Sequence, residues 1–133
     1  MTSYNNIKHV ERMRQAFIFE DVSSDGIGMT DVDGLIEYKD RAYVFLEMKY
    51  REKDVPIGQK LALERLVKDS EKAGKLAIAI VAEHEVYDCN EPVFVKNCVV
   101  REVYYSKEKV WRPPKHIVTV QEMVDAFIRT VKK

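Results

Sequence analysis

Thr30-Asp31-Val32-Asp33-Gly34-Leu35-Ile36-Glu37-Tyr38 and, after a short turn, Tyr43-Val44-Phe45-Leu46-Glu47-Met48-Lys49-Tyr50 decide how this chain is read. Each half is short, rich in β-branched and aromatic residues, and bounded by polar residues or glycine, so each reads as a strand. Lys39-Asp40-Arg41 between them reads as a tight hairpin loop. Opposed residues of an antiparallel pair share a face. With Tyr38 opposite Ala42, Ile36 meets Val44, Gly34 meets Leu46 and Val32 meets Met48, giving one apolar side. The other side pairs Glu37 with Tyr43, Leu35 with Phe45, Asp33 with Glu47 and Asp31 with Lys49. A slip of one residue would put carboxylates among the aliphatics, so the pattern selects this register.

That register has a chemical consequence. Asp33 and Glu47 are expected roughly 5 Å apart at Cβ, the usual cross-strand spacing. Two carboxylates so close repel each other unless positive charge lies between them. Magnesium takes oxygen ligands and often binds through one or two carboxylates, so a divalent cation suits the position. Lys49 lies on the same face, where its ammonium could hold a water nucleophile or stabilise charge on a phosphate. The plainer reading is an exposed, charged hairpin face. Leu35 and Phe45 on that face point instead to partial burial, and buried carboxylates are seldom unpaired.

Asp33, followed fourteen residues later by Glu47-Met48-Lys49, resembles the PD-(D/E)XK nuclease superfamily. This is the restriction-endonuclease-like fold, which also includes archaeal-type Holliday junction resolvases. Val32-Asp33 stands where the family's name has Pro-Asp. The resemblance implies an α/β fold with a central mixed β-sheet flanked by helices and an α-β-β-β-α-β core. It also implies magnesium or manganese held by Asp33, Glu47 and the carbonyl of Met48, with Lys49 positioning or activating the attacking water. Family members commonly carry a glutamine in the helix after the acid-x-Lys strand, and Gln59 occupies that place. They often add an acid from the first helix, for which Glu11 is the candidate beside its plainer reading as a solvated glutamate. The match spans about residues 5–82.

A chain of 133 residues fits one domain, 1–133, with a real core. Lysine plus arginine equals aspartate plus glutamate at 22 each, so net charge exerts no global pull on nucleic acid. Residues 21–54 carry nine acids and five bases, whereas 96–133 carry nine bases and four acids. That polarity suits an acidic cation pocket flanked by a phosphate-attracting surface. No secretory signal is read and no apolar run approaches the ~18 residues of a membrane span. A cytoplasmic protein with no membrane partner is expected, and Cys89 and Cys98 read as free thiols. A disulfide between them, or a zinc site from His84, Cys89 and Cys98, is the weaker alternative.

Along the chain, residues 5–19 read as a helix with Ile7, Val10, Met13, Ala16 and Phe17 at helical spacing. Residues 20–29 read as a turn or loop. Pro56 to about Ala73 reads as a helix whose inner side is Ile57, Leu61, Leu63, Leu66, Val67 and Ser70, ended by Gly74. Leu76–Ala82 is a continuous apolar run, a strand buried on both faces, and a helix between two strands permits a parallel crossover. A third core strand, before the hairpin or at Ile27-Gly28-Met29, has no firm place. Glu83 to Pro92 reads as loop, with His84 a surface residue or a ligand. Val93–Val95, Cys98–Val100 and Val103–Tyr105 suggest strands, and Lys107-Glu108-Lys109 a turn ending at Trp111-Arg112. The mix of Arg101, Tyr104, Tyr105, Lys107, Lys109, Trp111, Arg112 and Lys115 either grips nucleic acid or guards an edge strand. After Pro113-Pro114, Thr119 and Glu122 form a capping box for a last helix. Its stripe of Val120, Met123, Val124, Phe127, Ile128 and Val131 closes the core or joins a dimer.

The chain carries no Walker loop, dinucleotide fingerprint, nucleophile elbow or His-Glu-x-x-His motif. The expectation is therefore a metal-dependent endonuclease acting on DNA. One domain has little room for both sequence reading and catalysis, so structure-selective or relaxed specificity is expected. A resolvase cuts two strands symmetrically, which points to a homodimer. The second reading is a non-catalytic module on the same fold that binds nucleic acid or protein.

Overall fold

The structure, a computed structural model, describes residues 16–18 and 21–133. It separates into two compact units, Met1–Thr30 and Asp31–Lys133. Most of the helix expected over 5–19, Glu11 included, lies outside the described residues; residues 16–18 are exposed and not helical. In the first unit, β1 (Ser23–Ser24) pairs antiparallel with β2 (Ile27–Gly28). Asp25 and Gly26 between them both have positive φ, the mirror-image turn that Asp-Gly favours. Ile27 thus belongs to a hairpin of its own and not to the main sheet, so among the described residues the expected third core strand is absent from that sheet.

The second unit is a five-stranded mixed sheet with helices on both faces. Its strands are β3 (Gly34–Tyr38), β4 (Ala42–Tyr50), β5 (Leu76–His84), β6 (Val99–Tyr105) and β7 (Trp111–Arg112), in that spatial order. Between β4 and β5 runs α1 (Ile57–Lys72), and α2 (Val120–Lys132) closes the chain. The β4–α1–β5 crossover makes β4 and β5 parallel; every other neighbour is antiparallel. The α/β class with a mixed sheet between helices therefore holds.

The hairpin register is the expected one from Tyr38↔Ala42 to Gly34↔Leu46. Lys39 and Asp40 take positive φ, Arg41 N donates to Tyr38 O at 2.8 Å, and Lys75 Nζ holds Asp40 Oδ1 at 2.5 Å. The strand is shorter than expected, however. Thr30 to Asp33 lie outside the ladder, so Asp33–Glu47, Val32–Met48 and Asp31–Lys49 are not strand pairs. Aspartate is a poor strand former, and its side chain competes for backbone donors. Asp33 Oδ2 accepts the Met48 amide at 2.7 Å, the donor that a continued ladder would have given to a backbone carbonyl.

Alternation sorts the sheet into two cores. Phe45, Ala77, Ala79 and Tyr104 meet Leu63 and Val67 of α1. Val44, Ile78, Ile80, Ala82 and Val100 meet Val120, Phe127 and Val131 of α2. Residues 77–82 of β5 are all buried, as a strand covered on both faces requires. On α1 the buried stripe is only Leu63, Val67 and Ser70, with i, i+4, i+7 spacing. Ile57, Leu61 and Leu66 are exposed, contrary to the expected stripe. Gly74, at φ +83°, ends the helix in the left-handed conformation that costs glycine little.

Two further expectations shift. β5 runs on to His84, so Glu83 and His84 are strand and not loop. Val95–Asn97 is a single 3-10 turn, leaving one strand, β6, where several pieces were expected. The described residues include no helix long and apolar enough to cross a membrane. Cys89 and Cys98 are both free thiols.

The stripe of α2 closes the core. Thr119 Oγ1 accepts the Glu122 amide at 3.2 Å while Glu122 Oε1 accepts the Thr119 amide at 2.9 Å, the reciprocal cap read from the sequence. Thr119→Ala is expected to lower stability by about 1 kcal/mol, read as a shifted midpoint in urea.

Candidate active site

On β4 the odd-numbered side chains face α1, so Glu47 and Lys49 project to the same side as Phe45. Glu47 is 4% exposed, an unusual burial for a carboxylate. Its Oε1 receives Lys49 Nζ at 3.3 Å. Its Oε2 is buried without a hydrogen-bond partner. Among the described residues the only other such side-chain atom is Tyr50 Oη, so the orphaned oxygen is an exception in a satisfied interior.

Burial pushes the Glu47 carboxyl up from its ordinary value, and the nearby negative charge of Asp33 pushes the same way. Lys49 and Gln59 oppose the rise without cancelling it. Gln59, in the first turn of α1, acts on Glu47 from close by. Its one resolved hydrogen bond, however, runs from Nε2 to Asp31 O at 3.4 Å, and Glu47 Oε2 stays unpaired. The helix that crosses from β4 to β5 thus brings Gln59 back over the acid-x-Lys strand and against the segment leading into β3.

Asp33, Glu47, Met48, Lys49 and Gln59 are therefore brought together. They do not converge through a strand pair between Asp33 and Glu47, as expected, but through the Asp33–Met48 amide contact just beyond the ladder. Leu35 does not share the burial of Phe45: it is 61% exposed, because β3 is the sheet edge. Among the described residues no group of three or more histidine, cysteine, aspartate and glutamate side chains forms a metal site. That removes the His84, Cys89 and Cys98 trio. His84 Nδ1 accepts the Val86 amide at 3.2 Å, and its ring tilts against Tyr50.

Sequence reasoning missed the neighbours on β5 and β6. Glu83 lies beside Lys49 in the parallel register. Between the pairs Val81↔Glu102 and Ala82↔Val100, Arg101 is an extra residue, a β-bulge. Its Nε donates to Glu83 Oε1 at 3.4 Å, one terminal nitrogen to Lys53 O at 2.6 Å and the other to Arg51 O. Arg101 therefore ties down the connector between the site strand and α1. Several members of the wider run of bases and aromatics are already engaged within the fold. Tyr104 is core, Trp111 Nε1 donates to Glu64, and Lys109 and Arg112 are paired with Glu71 and Glu108. Only three-dimensional pairing shows this, since the sequence lists the bases but not their partners.

Comparison with family models, with characterised proteins and with solved structures finds no match to this chain.

Proposed function

We propose that the chain is a metal-dependent endonuclease that hydrolyses phosphodiester bonds in DNA, with structure-selective or relaxed sequence specificity. The observation that carries this reading is Glu47, a buried carboxylate with one oxygen on the Lys49 ammonium and the other without a hydrogen-bond partner among the described residues. A buried, unpartnered anionic oxygen beside a second carboxylate costs free energy unless a cation completes it. The donor set therefore fits a hard divalent ion, with Asp33, Glu47 and the Met48 carbonyl as the groups that would hold magnesium or manganese. Bound there, the ion supplies Lewis-acid charge to a phosphoryl oxygen and acidifies water.

The chain's own residues do the rest. Burial keeps solvent away from Glu47, so its charge acts at low dielectric. Lys49, partly exposed, offers N–H donors at the mouth of the site, where they can orient a water or meet charge developing on phosphate. Gln59 stands close to Glu47 and donates to Asp31 O.

The test is incubation with plasmid and branched DNA, with and without magnesium or manganese, beside Glu47→Ala and Lys49→Ala. Metal-dependent cutting lost in both variants is the expected result. Tight binding with no cutting on any substrate would establish the non-catalytic module instead. Absence of salt-dependent DNA binding would remove the nucleic-acid role altogether.

A further inference from the structure

The two edges of the main sheet are unlike each other. β7 is two residues long and runs into Pro113-Pro114, and its Arg112 is held by Glu108 at 2.9 Å. Short strands, prolines and charges are the usual guards of an edge. β3 is five residues long and has no proline. Its only charged side chain, Glu37, turns back to accept the Asp40 amide at 2.6 Å. Leu35 on one face and Ile36 on the other are exposed, and the helices pack on strands further in: α1 on β4, β5 and β6, α2 on β5 and β6. Among the described residues β3 pairs with β4 alone.

The free hydrogen-bonding groups can be assigned. Tyr38 O accepts from Arg41 in the turn, so Tyr38 directs its backbone groups toward β4. Backbone direction alternates along a strand, so Ile36 and Gly34 do the same, and Leu35 and Glu37 direct theirs outward. We infer that β3 pairs with β3 of a second copy of this chain, antiparallel about a two-fold axis at Ile36. This joins two five-stranded sheets into one.

The charge pattern around β3 is self-complementary in one register. With Ile36 on the axis, Leu35 meets Glu37 of the second copy, Gly34 meets Tyr38, and Lys39 comes level with Asp33. Shifting by two residues one way sets Asp33 against Glu37; shifting the other way sets Glu37 against Glu37. Directly opposed like charges destabilise a sheet, so one register remains. Leu35 and Glu37 then form hydrogen-bonded pairs through backbone groups that have no ladder partner among the described residues. The Ile36 side chains meet across the axis beside an apolar groove of about 180 Å³ lined by Gly34, Ile36, Val44, Leu46, Val120 and Val124. Because the axis is perpendicular to the sheet, the α1 faces of both copies lie on one side. Strand spacing and rise then put the two Glu47 positions about 25 Å apart. The pairing stands whether or not the chain cuts DNA.

Light scattering and sedimentation on the full chain test it. Wild type is expected at twice the 15.5 kDa chain mass. Leu35→Pro removes only an outward N–H, which a true edge tolerates, and is expected to give a folded monomer at concentrations where wild type is dimeric. Ile36→Cys in a Cys89→Ser background is expected to form an inter-chain disulfide, since such non-hydrogen-bonded pairs bring Cα atoms within disulfide range. This second readout stands if the proline variant does not fold. A monomeric wild type overturns the inference. So does a dimer that survives Leu35→Pro and leaves the Ile36→Cys chains without a cross-link, which would place the interface elsewhere.

Discussion

Glu47→Gln is expected to abolish cleavage, by about 10³-fold or more, while making the protein more stable near neutral pH. The two effects have one cause. Burial raises the Glu47 pKa, so the folded chain keeps that proton to higher pH than the unfolded chain does. The stability this contributes is complete below the unfolded carboxylate's pKa and is lost as pH rises through the raised folded value. Glutamine has no charge to lose. The variant should therefore exceed wild type at neutral pH, and the difference should close as pH falls into the ordinary carboxylate range. Thermal melts across pH measure this directly. Magnesium supplies a second arm. At a hundred times its dissociation constant it should add about 2.7 kcal/mol to wild type and little to the variant. A variant less stable than wild type at neutral pH, with the same response to magnesium, would show that Glu47 is a structural ion-pair partner of Lys49 and no metal ligand.

Features read from local alternation emerged as expected. Apolar and polar residues alternate along Gly34–Tyr38 and Ala42–Tyr50, and the register that sets Gly34 and Ile36 against Leu46 and Val44 on one side is the one that forms. The run from Leu76 to Ala82 has no polar residue, which only a strand covered on both faces can use. Thr119 and Glu122 cap α2 through contacts three residues apart.

Features set by what lies across the sheet were not legible. Leu35 has the apolarity of a core residue, yet its exposure depends on no strand lying outside β3 among the described residues. The bulge at Arg101 inserts a residue with no compositional mark, and it is recognised only from the register of β5 against β6. The end of β3 at Gly34 depends on whether the Met48 amide finds a carbonyl or a carboxylate. At the site itself, residue types and their spacing were visible. The unpaired oxygen of Glu47 was not, because satisfaction of a buried group belongs to all its neighbours at once.

Leu63→Ala should lose about 3 kcal/mol, whereas Leu61→Ala should lose under about 1 kcal/mol. The two leucines are two residues apart on α1, with equal side chains, so composition cannot separate them. Leu63 is 2% exposed and sits among Phe45, Ala77, Ala79 and Tyr104; Leu61 is 40% exposed. Alanines at 77 and 79 let the helix come close to the sheet. They also leave no flexible side chain there to fill a void, which places the cost in the middle of the usual range. Urea unfolding should show a lower midpoint for Leu63→Ala with an unchanged slope. Gln59 lies one turn before Leu63, so this contact also sets how closely Gln59 is held against Glu47 and Asp31. Leu63→Ala is therefore expected to lower turnover even at temperatures where the chain remains folded, while Leu61→Ala leaves turnover near wild type. Equal losses for the two would mean that α1 presents a different face to the sheet, and with it a different neighbour to the buried carboxylate.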